Sequence, residues 1–176
     1  MTTLDMTGRL GSSLRGTELM ARHRGATNLE GLRHGPGSYS FSNSFFGYQG
    51  DFVAGEMHGV GRLAMGDGGS YEGDFVDGEI IGRGIRAWPD GRRYEGQFVL
   101  GEMDGEGTHT APGPDGVVTY QGKMASNRRE GHGVLTGGGG DVFEGEFRRN
   151  RPHGRGKQSL AVSGECYDGV GGELGV

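Results

Sequence analysis

An aromatic residue, one spacer and a glycine return six times along this chain at a nearly fixed interval. The copies are Tyr48-Gln49-Gly50, Tyr71-Glu72-Gly73, Tyr94-Glu95-Gly96, Tyr120-Gln121-Gly122, Phe143-Glu144-Gly145 and Tyr167-Asp168-Gly169. Successive aromatics stand 23, 23, 26, 23 and 24 residues apart. Self-similarity at such a period marks a repeat architecture, in which one supersecondary unit stacks on the next. It argues against a search for one buried active site.

A second landmark belongs to each unit, a glycine pair bracketing one residue: Gly35/Gly37, Gly59/Gly61, Gly82/Gly84, Gly105/Gly107, Gly131/Gly133 and Gly154/Gly156. It follows the aromatic of the motif by eleven residues wherever both occur. Between the landmarks lie turn-prone groups: Ala54-Gly55-Glu56, Asp77-Gly78-Glu79, Ser126-Asn127-Arg128 and Asn150-Arg151-Pro152. Such groups suit tight hairpin turns that need positive φ. Two short strands joined by a turn fill the period, whereas a helix-turn-helix repeat needs more room and far fewer glycines.

Alternation supports strands. Tyr48, Gly50 and Phe52 fall on one face, as do Tyr71, Gly73 and Phe75, and Tyr94, Gly96 and Phe98, with charged or polar residues between them. The series continues through Tyr120 and Gly122, and through Phe143, Gly145 and Phe147. Glycine weakens a strand, so its recurrence beside large rings predicts that the rings lie across bare glycine backbone. With 41 glycines and only 32% hydrophobic residues, the chain is short of material for a compact two-layer core. The glycines stand in register with aromatics, which separates this composition from a low-complexity disordered one.

The predicted fold is all-β: an elongated antiparallel meander of about six stacked hairpins in a single curved sheet over residues 28–169. With strands ~4.8 Å apart, each hairpin advances the sheet by roughly 10 Å. Residues 1–27 are expected to form a disordered tail, and 170–176 an incomplete terminal repeat or a frayed end. The Pro112-Gly113-Pro114 insertion before Tyr120 predicts a bulged or longer loop and a locally poorer core. The first 27 residues hold Arg9, Arg15, Arg22 and Arg24 against Asp5 and Glu18 without an apolar segment, so no secretory signal is read there. No apolar run of about 18 residues is present, so no transmembrane segment is expected. Cys166 is the single cysteine; it forms no intrachain disulfide and suits a reducing, cytoplasmic setting.

These landmarks resemble the membrane occupation and recognition nexus (MORN) repeat, which runs roughly Tyr-Glu-Gly-Glu-Trp, a turn, then Gly-x-Gly. The first half is matched by Tyr71-Glu72-Gly73-Asp74-Phe75 and Tyr94-Glu95-Gly96-Gln97-Phe98, the second by His58-Gly59-Val60-Gly61-Arg62-Leu63 and His153-Gly154-Arg155-Gly156. A degenerate leading half-unit stands at Leu29-Glu30-Gly31. Asn43-Ser44-Phe45-Phe46, Phe75-Val76-Asp77-Gly78-Glu79 and Gln97-Phe98-Val99-Leu100-Gly101-Glu102 are similar to one animal member in particular. Phe replaces the usual Trp, Met124 departs from the pattern in the fourth copy, and Arg86 and His109 stand where an aromatic is commoner. The resemblance implies a non-catalytic scaffold of the kind found in cytoskeletal, ciliary and membrane-junction proteins.

Two site candidates follow. The first is the aromatic face itself, which a single layer is not expected to hide fully from water; it is read first as structural and second as a groove for an extended partner. The second is an arginine edge. Residues 50–107 hold 12 acids and 5 bases, a balance of −7, whereas residues 123–157 hold 8 bases and 4 acids, a balance of +4. Arg128 and Arg151 occupy equivalent turn positions one repeat apart, with Arg129, Arg148 and Arg149 beside them, and this edge could hold an anionic lipid surface or an acidic partner. The acidic stretch could also dock on another copy's basic stretch.

No cofactor, metal, nucleic-acid partner or catalytic residue is expected. His34, His58 and His153 precede glycine pairs about 10 Å apart, too far for one zinc, and His132 sits inside a pair. Asp67–Glu79 lacks the alternate carboxylates of a calcium loop. The clusters at Gly66–Gly69 and Gly137–Gly140 are not followed by Gly-Lys-Ser/Thr. Cys166 has no activating neighbours in sequence, and no nucleophile-elbow pattern occurs. The expected function is a scaffold assembling other proteins, or further copies of itself through sheet edges, with a peripheral membrane adaptor as the alternative.

Overall fold

The computed structural model describes residues 22–40 and 47–171. Expectations for the flanking tails and for residues 41–46 lie outside them. Thirteen strands form one open antiparallel sheet whose spatial order is the order of the chain. They are β1 (Arg22–Thr27), β2 (Arg33–Ser40), β3 (Gly47–Val53), β4 (Glu56–Ala64), β5 (Ser70–Val76), β6 (Glu79–Ala87) and β7 (Arg93–Val99). After these come β8 (Glu102–Gly113), β9 (Gly116–Ala125), β10 (Arg128–Thr136), β11 (Val142–Arg148), β12 (Arg151–Ser159) and β13 (Cys166–Gly171). No helix occurs among the described residues. The sheet begins before the boundary drawn at residue 28, because β1 pairs with β2, and β13 runs two residues past 169.

The hairpin turns follow from their pairing. Val53 pairs with Glu56, enclosing Ala54 and Gly55 at φ +48° and +92°. Positive φ at both central residues is the turn whose twist matches that of the strands it joins. Asp77-Gly78, Ser126-Asn127 and Arg149-Asn150 repeat it. The last lies one residue earlier than the group Asn150-Arg151-Pro152 suggests, and Leu100-Gly101, at +49° and +79°, is a turn pair the sequence reading passed over.

Within each hairpin the two glycines of a pair do different work. Gly73 pairs with Gly84 and Phe75 with Ile80, so Asp74 alone faces Ile81, Gly82 and Arg83. Gly82 takes φ +109° in this bulge, and the Arg83 N–H donates to Asp74 Oδ2 at 2.7 Å. The expectation that rings lie across bare glycine backbone therefore holds for one of the two. Only the second, Gly84, lies beneath a ring.

By contact density the chain divides into two compact units, Met1–Pro89 with Phe98–Gly101, and Asp90–Gln97 with Glu102–Val176. In the first, a row of glycines runs straight across the strands, from Gly25 through Gly37, Gly50, Gly61 and Gly73 to Gly84. In the second, Gly107, Gly122, Gly133, Gly145, Gly156 and Gly169 form an equivalent row. The Pro112-Gly113-Pro114 insertion makes no bulge. It lengthens β8 and β9, whose register continues unbroken to Gly113↔Gly116, because three added residues extend both strands around a tight turn. The tip is seated against the next connection, where a Cβ on Gly138 would lie 2.7 Å from the Gly116 nitrogen.

Candidate functional site

The aromatic face is built by rings lying flat on the glycine rows. A Cβ on Gly50 or on Gly61 would each meet Tyr48 Cζ at 2.6 Å; Gly84 stands in the same relation to Tyr71 at 2.6 Å. In the second unit Tyr94 covers Gly96 and Gly107, Tyr120 covers Gly122 and Gly133, and Phe143 covers Gly145 and Gly156. Each tyrosine hydroxyl then reaches backbone near the bulge. Tyr48 donates to Asp51 O at 3.0 Å, Tyr71 to Asp74 O at 3.1 Å, Tyr94 to Gln97 O at 3.2 Å and Tyr120 to Lys123 O at 2.8 Å.

Between the tyrosines stand the phenylalanines, edge to face. In the first unit the order Phe52, Tyr48, Phe75, Tyr71, Phe98 has centroids 5.1, 5.1, 5.2 and 5.1 Å apart. In the second unit Phe147 meets Tyr120 at 5.1 Å and Phe143 at 5.4 Å, and Met124 takes the place a phenylalanine holds elsewhere. Such pairs contribute about 0.5–1.5 kcal/mol each beyond area burial. Tyr48, Phe52, Tyr71, Phe75, Tyr94, Phe98, Tyr120 and Phe147 are all exposed by 4% or less. The single layer therefore does hide these eight rings, contrary to expectation, while Phe143 is half-buried. Glycine lets each ring lie on the backbone, and neighbouring rings and long side chains such as Ile80 cover the edges. Burial pushes the hydroxyls of Tyr48, Tyr94 and Tyr120 up to about 12, and that of Tyr71 further still.

The arginine edge divides. Arg128, Arg148, Arg149 and Arg151 are exposed at the turn ends of β9–β12, with Arg148 directly opposite Arg151. Among the described residues none of these four side chains is held in an ion pair. Arg129 does not join them. It pairs with Met124 across the strands, which turns it to the ring face, and its guanidinium lies 5.4 Å from the Tyr120 centroid and 6.0 Å from that of Phe147. Burial holds its pKa below the ordinary arginine value. A two-residue turn fixes this facing, and the sequence reading left the turn length open.

Other cations on the ring face are engaged. Arg33 lies over Tyr39 and Phe52 at 4.5 and 5.2 Å and donates Nη2 to Gly55 O at 3.0 Å. Arg86 lies 5.2 Å from the Trp88 ring and binds Asp67 at 2.7 Å. His109, the cross-strand partner of Tyr120, is held below its usual pKa by burial first, then by Arg129 and Arg92. No group of three or more His, Cys, Asp or Glu side chains suited to a metal occurs among the described residues. None of their helices is long and apolar enough to cross a membrane.

The fold and face define an open β-sheet repeat protein with a ring-on-glycine core. The MORN repeat model matches residues 29–44, 48–70, 71–92, 94–113, 120–142 and 143–161, well over half the chain, which therefore belongs to the MORN-repeat family. The first matched copy begins at Leu29, so the leading half-unit counts as a repeat, while the Tyr167 copy is not matched. None of the curated proteins compared with it matches the chain.

Proposed function

We propose that this chain is a non-catalytic scaffold that assembles other proteins, or further copies of itself, in the cytoplasm at a cytoskeletal or ciliary structure. MORN repeats are in general protein- and membrane-interaction modules. The observation supporting the reading is the open sheet: among the described residues β1 and β13 stand at its two ends, each with a single strand neighbour. An edge strand presents a row of free N–H and C=O groups to a passing chain. The rings are consumed in packing, so the edges and the outer rim of the ring face are left for recognition. The likeness of Phe75–Glu79 and Gln97–Glu102 to the animal MORN repeat-containing protein one accords with this; Asn43–Phe46, which shares it, lies outside the described residues.

Affinity capture from ciliated cells with crosslinking mass spectrometry tests the reading. Contacts that map to β1, β13 or the ring face are expected. Crosslinks confined to the opposite face overturn it. Self-association through the −7 and +4 stretches predicts a mass by light scattering that falls as salt is raised; a salt-independent mass counts against it.

The exposed arginines favour a second reading, a peripheral membrane adaptor. Juxtaposed cations each contribute about 1 kcal/mol toward an anionic surface. Co-sedimentation with phosphatidylserine vesicles, salt-sensitive and abolished by Arg128→Ala with Arg151→Ala, supports it; unchanged sedimentation of that variant removes it.

A further inference from the structure

One position recurs near the start of β2, β4, β6, β8 and β10. There the backbone carbonyl accepts the N–H of the second turn residue of the following hairpin. Gly55 donates to Arg33 O at 2.8 Å, Gly78 to Met57 O at 2.9 Å, Gly101 to Ile80 O at 2.9 Å, Asn127 to Met103 O at 3.0 Å and Asn150 to Arg129 O at 3.1 Å. At three of these five positions the side chain is a long apolar one. Arg33 and Arg129 replace it, and both lay their guanidinium on rings.

The two arginines differ in what they bind. Arg33 gives a donor to Gly55 O. The Arg129 guanidinium has no acceptor among the described residues. Acceptors at the neighbouring turns bond to backbone instead: Glu130 Oε2 accepts from Arg149 N at 3.0 Å, Asp104 Oδ2 from Ser126 N at 3.2 Å, and Asn150 Oδ1 from the Arg129 backbone N–H at 2.8 Å. A planar fork of five N–H donors thus rests half-buried on Tyr120 and Phe147, without an ion pair among the described residues.

We propose that the ring face of the second unit carries a carboxylate-binding niche, formed by the Arg129 guanidinium on its aromatic shelf with His109 beside Tyr120, and that its ligand is an acidic side chain of an extended protein segment. The proposal rests on the scaffold reading and names the chemistry that reading would recognise. A carboxylate fits better than a phosphate. The planar Arg129 fork matches the two oxygens of one carboxylate bidentately, and burial, the largest cause, lowers the pKa of the His109 beside it.

The test uses the full chain and Arg129→Met, which installs the residue already found at the equivalent positions Met57 and Met103 and so keeps the cover over the rings. The probes are N-acetyl-Ala-Glu-Ala-Glu-Ala-amide, its Gln counterpart, acetate, inorganic phosphate and phosphatidylserine vesicles, with the arginine Nε–Hε NMR signals and peptide affinity as readouts. The Glu peptide is expected to move the Arg129 signal saturably. Affinity should fall about tenfold or more both in Arg129→Met and with the Gln peptide, the factor one charge-assisted pair supplies. An equal saturable response to acetate assigns the niche to small carboxylates and overturns the peptide ligand. Equal binding of Glu and Gln peptides, or an Arg129 response confined to phosphate or vesicles, overturns the niche. Neither result touches the edge contacts of the scaffold reading, which stand or fall by the crosslinking experiment.

Discussion

Placing one methyl group on Gly84 tests whether rings on bare backbone hold this sheet together. Gly84 does not need a left-handed backbone, so alanine is tolerated by the chain itself. The obstacle is Tyr71, whose Cζ would stand 2.6 Å from the new Cβ, about 1 Å inside ordinary carbon contact. The ring has nowhere to go. It is fully buried, Phe75 and Phe98 flank it at 5.2 and 5.1 Å, and its hydroxyl is tied to Asp74 O. Overpacking costs about 1–3 kcal/mol, and losing the hydroxyl bond about 1 kcal/mol more. Restricting the unfolded chain returns about 0.4–1 kcal/mol. Gly84→Ala should therefore destabilise by about 2–3 kcal/mol in urea unfolding followed by circular dichroism. The decisive comparison is Tyr71→Leu, whose side chain ends short of the Cε and Cζ atoms involved. In that background Gly84→Ala should cost nothing, giving a coupling of about 2–3 kcal/mol across the cycle. If the alanine costs the same in both backgrounds, the ring is not what requires the glycine and the packing argument fails.

Three further outcomes follow from the same geometry. Tyr71→Phe keeps the ring and loses the hydroxyl shared between Asp74 O at 3.1 Å and Arg83 O at 3.4 Å, so it should cost about 0.5–1.5 kcal/mol, against about 3–5 kcal/mol for Tyr71→Ala; equal losses in urea would contradict the division. Asn150 combines φ +72° with a carboxamide that accepts from Arg129 N, so Asn150→Ala should cost about 2 kcal/mol and Asn150→Gly about 1 kcal/mol, the glycine sparing the backbone strain; the reverse order in thermal melts would refute it. The hydroxyls of Tyr48, Tyr94 and Tyr120 stand at about 12 in the folded chain against an ordinary 10. Because the folded values are raised, the neutral form is favoured by folding. Stability is full below pH 10 and is lost as pH rises through 12. Ionisation of these three tyrosines should therefore come together with loss of the sheet, and their ionisation near pH 10 with the sheet intact would show that they are not buried.

How far the fold could be read in advance depended on which residues have a period. Ring, spacer and glycine fix the strand, its facing and its neighbours, because only glycine admits a ring onto the backbone. That much was written in Tyr71-Glu72-Gly73 and its copies. The bulge was not, since Gly82 and Gly84 look alike in sequence, and it is the pairing of Phe75 with Ile80 that separates them. Burial of the rings was also missed. It depends on Phe75 and Phe98 closing over Tyr71 from both sides, a relation between repeats that no single motif contains.

Arg129 shows where a site hides in such a chain. Counted as one of five clustered arginines it belongs to a charged edge, and the charge balance of the segment encourages that view. Its facing is set instead by a turn of two residues, which puts Arg128 opposite Ala125 and Arg129 opposite Met124, on the side of Tyr120. The signal was present in the series Arg33, Met57, Ile80, Met103, Arg129, long side chains at one register, which is what a position covering rings requires. Where the cover is Ile80 the position is buried and apolar. Where it is an arginine without an acceptor, the same packing leaves a charge on the shelf, and a repeat otherwise spent on holding itself together gains a place to bind.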